Sequence, residues 1–193
     1  MPSENSEFRY AYKSSLMGAP LEFHLAPDAL EWRKGGYAGR APYGSVRRVR
    51  LSFRPITMQN HRFLAEVWPE NGPKLQIASS SWKSLVEHQR LDAEYRAFVS
   101  ELSRRVGVAG GNTSFDTGSP AFLYWPGVIV FIGAALAIAA LAVRALSEQA
   151  WGGAAFIAAF FALFLYQAGN FFRRNRPGTF RPNAVPSLLL PKG

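Results

Sequence analysis

The chain has 193 residues, 48% of them hydrophobic, and a formal net charge of +9 from 22 Lys/Arg against 13 Asp/Glu. It contains no cysteine, which excludes a disulfide scaffold, a cysteine nucleophile and thiolate metal sites. Residues 1–120 carry 16 basic and 12 acidic side chains while residues 121–193 carry 6 and 1, so the basic excess gathers beside apolar segments, where it orients spans, and no nucleic-acid partner is expected.

The start, Met1-Pro-Ser-Glu-Asn-Ser-Glu7, is polar and acidic and lacks the basic and apolar parts of a secretory signal peptide. Residues 1–7 are expected to be disordered and residues 8–106 to form a soluble domain. Leu21-Glu-Phe-His-Leu25 alternates apolar and polar, Ala29 to Arg33 continues the pattern, and Pro27-Asp28 supplies turn chemistry between them. Gly35-Gly36 breaks the pattern. The clearest strand is Val46 to Phe53, with Val49, Leu51 and Phe53 on one face and Arg48, Arg50 and Ser52 on the other, ended by Pro55. Arg62–Trp68 and Lys74–Ala78 read as a hairpin around Pro69-Glu-Asn-Gly72. An amphipathic helix is predicted over Ser84–Val106, opened by a Ser84/Glu87 capping box and buried through Leu91, Tyr95, Phe98, Val99, Leu102 and Val106.

Strands followed by one helix predict an α+β fold, a small antiparallel barrel or bent sheet capped by that helix. Phe23-His-Leu-Ala-Pro-Asp-Ala-Leu-Glu-Trp32, Ala41-Pro-Tyr-Gly-Ser-Val-Arg-Arg-Val-Arg-Leu51 and the 84–106 helix resemble a bacterial pleckstrin-homology-like domain. Many small bacterial inner-membrane proteins join such a domain to a pair of spans. The tail from Asn175 to Pro191 is similar to tails of such proteins. The family has no common catalytic set to carry over, and the basic loop with which eukaryotic relatives hold phosphoinositides has no counterpart here.

Residues 107–120 are expected to be a flexible linker; Gly107–Gly111 lacks the lysine and the context of a phosphate loop. Two spans follow, over 121–146 and 150–172. Each contains 23 uncharged residues, Ala121–Val143 and Ala150–Phe172, which as helix cover roughly 35 Å against a hydrocarbon core of about 30 Å. Their short connection requires an antiparallel hairpin. Arg104 and Arg105 precede the spans, and Arg173, Arg174, Arg176 and Arg181 follow them, whereas the turn offers Arg144 opposed by Glu148. Both chain ends are therefore expected on the cytoplasmic side of a bacterial inner membrane. Gly133 and Ala137, with Ala140, are expected to let the second helix approach through Gly152, Gly153, Ala155 and Ala159. Gln167 and Asn170 are expected to hydrogen-bond across the hairpin or to a partner helix. The tail, residues 173–193, is extended by its prolines, and Leu188, Leu189 and Leu190 predict that it docks on the soluble domain.

Arg47, Arg48, Arg50 and Arg54 are the sharpest feature of the soluble domain: either a surface for anionic lipid or an acidic partner, or a solvated strand face paired with Glu22, Glu31 or Glu66. His24, His61 and His88 share no metal-ligand spacing, and His88/Asp92 alone is a poor zinc site. No catalytic motif is present, so no cofactor, metal or small-molecule substrate is expected. The sequence points to a non-enzymatic membrane-anchored adaptor with membrane lipids and a protein partner or a second copy as its contacts. The alternatives are an anionic-lipid sensor and an accessory subunit of a larger membrane complex.

Overall fold

The computed structural model describes residues 8–54, 61–83 and 88–191. The expected disorder of residues 1–7, the strand end at Pro55 and the Ser84/Glu87 capping box lie outside the described residues.

Strands β1 (Phe8–Tyr12), β2 (Leu21–Leu25), β3 (Ala29–Lys34) and β4 (Tyr37–Pro42) form an antiparallel meander in chain order. Its register lines up Tyr10, Phe23, Trp32 and Gly39 across the sheet. Trp32 accounts for the glycine: a Cβ at Gly39 would lie 2.2 Å from the indole, so only a bare backbone fits beneath the ring. Gly35-Gly36, where the alternation breaks, is the tight turn between β3 and β4, with Gly35 at φ +58°.

Strands β5 (Val46–Phe53), β6 (Phe63–Pro69) and β7 (Leu75–Ala78) make a second meander. Val49, Leu51, Val67 and Ile77 are fully buried on its inner side. The expected barrel is not closed; the two meanders remain separate sheets. Tyrosines bridge them. Tyr10 Oη donates to Ala78 O at 2.5 Å and Tyr12 Oη to Gln76 O at 2.6 Å, satisfying β7 carbonyls that would otherwise form an open edge. Burial raises both phenol pKa values, Tyr12 to about 12.

Strand β8 (Ser80–Trp82) pairs with β9 (His88–Arg90), which corrects the predicted helix start. Helix α1 runs Asp92–Val108. Ladder pairing with β8, and a bond from Leu91 N to Ser79 O at 2.9 Å, hold 88–91 extended. Asp92 and Glu94 then suit the positive N-terminal end of the helix. Tyr95, Phe98, Val99, Leu102 and Val106 are buried as the periodicity predicts. Tyr95 and Phe98 pack on Tyr10 at 6.2 and 5.5 Å between ring centroids.

The segment expected to be a flexible linker holds the end of α1 and strand β10 (Ser114–Thr117), which lies parallel to β5. Strand β11 (Gly178–Thr179) pairs antiparallel with β10. The chain divides into two compact units, one of residues 1–117 and 178–193, the other of residues 118–177. The tail thus completes the first unit. Its turn Ser187–Leu189 packs on β5, Leu189 and Leu190 are buried, and Arg96 donates to Pro191 O.

The second unit is an antiparallel pair, α2 (Ala121–Ser147) and α3 (Trp151–Arg174), both long and apolar enough to cross a membrane. The half-buried positions of α2 include Tyr124, Val128, Phe131, Ala135, Ile138, Ala142 and Ala145; on α3 Ala154 is buried and Ile157, Phe161, Phe164, Ala168 and Phe171 are half-buried. Alternating steps of three and four residues are a coiled-coil seam. Phe131 sits 5.2 Å from both Phe164 and Phe172.

Candidate functional site

The four arginines do not share one face of β5. Arg47 is exposed and meets Glu70 at 2.6 Å, displaced from the others by a bulge between Val46 and Arg48. Arg48 and Arg50 share Asp116 of β10, with Oδ2 at 3.1 and 3.6 Å. Both guanidiniums also lie over Trp68, at 5.9 and 5.6 Å from the ring centroid, with Lys74 Nζ at 5.0 Å. Glu66 faces Arg50 across the ladder, yet its buried carboxylate is taken by Lys74 and by Gln76 Nε2 at 3.3 Å. Two of the four arginines thus share a single acid from the region read as linker. Arg54 stands apart, past the end of β5, with its backbone N bonded to Arg62 O at 2.8 Å.

Arg105, counted from sequence among the flanking charges, is structural. Its Nη1 donates to Leu25 O and Ala26 O at 3.0 and 2.9 Å, and its Nε to Glu101 Oε1 at 2.7 Å. Bonds from Arg104 and then Arg105 hold the Glu101 carboxyl down to about 2.

The outer face of the first sheet carries a broad open depression of about 840 Å³, lined among others by Arg9, Glu22, His24, Glu31, Arg33 and Arg40. Its charges alternate in sign. His24 Nδ1 lies 3.1 Å from Glu31 Oε2, and Arg40 bridges Glu31 and Asp28 at 3.2 and 2.6 Å. The His24 hydrogen bond is the largest influence lowering the Glu31 pKa. Strand β4 lies at the margin of this face, and among the described residues no further strand pairs with it. Among those residues, too, no group of three His, Asp or Glu side chains converges as metal ligands would. His88 belongs to β9, so the helical His88/Asp92 spacing does not arise.

In the hairpin, the expected small-residue contact is reversed. Gly133 and Ala137 are exposed, and nothing lies within 4 Å of a Cβ built at Gly133. The seam takes in Phe131, Phe161 and Phe164 together with Ala135, Ala142 and Ala168, and leaves Gly133, Ala137, Ala140, Gly152, Gly153, Ala155 and Ala159 outward. Asn170 Oδ1 accepts from Arg174 Nε at 3.2 Å and Arg173 Nη2 at 3.5 Å on its own helix rather than bonding across the hairpin. Gln167 is half-buried at the margin of the seam.

Sequence reasoning missed Asp116, Trp68 and Lys74 as the setting of the arginines. Trp68 and Lys74 were legible only as members of a hairpin, and nothing in the sequence ties Asp116 to a strand 66 residues earlier. No protein-family model matches the chain, and no similar curated protein or solved structure was found.

Proposed function

We propose that this protein is a non-enzymatic membrane-anchored adaptor. In this reading α2 and α3 cross a bacterial inner membrane, and the β-rich unit faces the cytoplasm as a pleckstrin-homology-like module offering its first sheet to a protein partner. The order of a four-strand meander, a three-strand meander and a covering helix supports the module assignment. The anchor reading is supported by the pairing of β10 with β11: the chain leaves the β-rich unit at Thr117 and returns at Gly178, neighbours in one ladder. Two crossings returning to adjacent strands keep both chain ends on one side.

The observation that carries the adaptor role is the mixed-sign depression bordered by β4, whose outer edge is unpaired among the described residues. Charges of both signs on an open face favour a protein surface of complementary pattern over a uniformly anionic bilayer. The pairing of Arg48 and Arg50 with Asp116 weighs in the same direction. A photo-crosslinking amino acid at Ala38, in native membranes, should yield a discrete adduct that Arg40→Glu abolishes. Adducts unchanged by Arg40→Glu, or identical to those from a probe at exposed Gln89, would exclude this face.

A second reading, an accessory subunit of a membrane complex, draws on the outward Gly133 and Ala137, which leave room for another helix. Native purification in mild detergent as a lone monomer would count against it.

A further inference from the structure

The ends of β1, β5 and β7 and the starts of β6 and β8 meet at a pocket of about 140 Å³, whose polar lining includes Lys13, Ser14, Arg54, Arg62 and Ser80. That is well below the roughly 300–1,000 Å³ of sites enclosing drug-sized ligands, so it suits one small group. Among the described residues, three lining side chains are cations and none is acidic. Elsewhere in the β-rich unit, Arg40, Arg47, Arg48, Arg50, Arg104 and Arg105 each have a carboxylate partner. Among the described residues Lys13, Arg54 and Arg62 have none, and Arg62 Nε is buried without a hydrogen-bond partner.

This concentration of like charge is held by the backbone. Trp82 N donates to Lys13 O at 3.2 Å, Lys13 N to Ser81 Oγ at 2.9 Å, and Arg54 N to Arg62 O at 2.8 Å. Burial first, then the Arg54 charge, lowers the Arg62 pKa, as befits a guanidinium without a counter-ion. An arrangement that concentrates positive charge and leaves a buried donor unused is relieved by an anion.

We propose that this pocket binds a phosphate-class anion, with Arg54 and Arg62 as its principal donors and Lys13 supplying charge at the rim. Planar guanidiniums match phosphate oxygens in paired hydrogen bonds, and Ser14 and Ser80 offer neutral donors beside them. Inorganic phosphate and the phosphomonoester headgroup of a lipid share this chemistry. The inference stands independently of the adaptor role, which rests on the other sheet face.

The test uses the full chain in mild non-ionic detergent, with thermal unfolding followed as inorganic phosphate replaces chloride at constant ionic strength. Phosphate should raise Tm saturably, and Arg54→Gln and Arg62→Gln should each weaken apparent affinity about tenfold, the loss of one charge-assisted pair. Lys13→Gln, at an exposed position, should weaken it about threefold, so the test survives if Arg62→Gln does not fold. Parallel titrations with glycerol 3-phosphate and short-chain phosphatidic acid separate the sources: tighter binding of phosphatidic acid assigns the lipid, and equal binding assigns free phosphate. A response that never saturates, or that persists unchanged in Arg54→Gln and Lys13→Gln, overturns the site.

Discussion

Leu189→Ala and Leu188→Ala remove the same atoms from adjacent residues of the tail, but Leu189 is 3% exposed and Leu188 50%. Leu189 closes the turn that packs on β5, next to the bond between Arg96 and Pro191 O. Removing the isopropyl group from a buried site forfeits roughly 2.5 kcal/mol of transfer free energy at about 0.8 kcal/mol per carbon. The cavity left behind raises the cost to about 3 kcal/mol. For a unit of this size, at about 4 °C per kcal/mol, Tm falls by about 12 °C. Leu188→Ala changes stability by less than about 0.5 kcal/mol. The assay is thermal unfolding of the full-length protein in detergent, followed by near-UV circular dichroism, which reports side-chain packing rather than helix content. Equal shifts in the two variants would refute the docking of the tail and the inclusion of residues 178–193 in the β-rich unit.

Gly118 has φ +71°, and a Cβ there would stand 2.3 Å from Asn175 O and 2.4 Å from Arg176 O. Gly118→Ala is therefore expected to cost about 2–4 kcal/mol in left-handed strain and overpacking and to disturb the bond from Ser119 N to Asn175 O, read as faster limited proteolysis at the base of the hairpin. Glu101 has its folded pKa lowered from 4.5 to about 2. Its contribution is present above pH 4.5 and is lost as pH falls from there towards 2, so Glu101→Gln should flatten the dependence of Tm on pH in that window; an unchanged profile contradicts the pairing with Arg104 and Arg105.

Elements with strong local periodicity were readable from sequence alone. The long uncharged runs announced α2 and α3, and period-two alternation located β2, β3 and β5. The inward face of α1 also followed from its spacing, although its start did not, because residues 88–90 are held by a ladder with β8 that no helical pattern reports. Strand β10 was hidden for a related reason. Ser-Phe-Asp-Thr is short, follows Gly110-Gly111-Asn112 and owes its extended form to β5, far away in sequence. The same distance concealed Asp116 as the partner of Arg48 and Arg50. Small residues were expected inside the hairpin, yet Phe131, Phe161 and Phe164 occupy the seam and turn Gly133 outward. Lys13, Arg54 and Arg62 converge only through tertiary folding, since no spacing joins them.

The adaptor role requires a chain that crosses the bilayer twice and leaves its β-rich unit inside. The absence of native cysteine makes this directly measurable. Lys34→Cys marks the β3–β4 end of the β-rich unit, and Ser147→Cys marks the turn between α2 and α3. A membrane-impermeant maleimide applied to spheroplasts should label the Ser147→Cys protein at once and the Lys34→Cys protein only after lysis. Labelling of the Lys34→Cys protein from outside, or of neither protein until lysis, would contradict it.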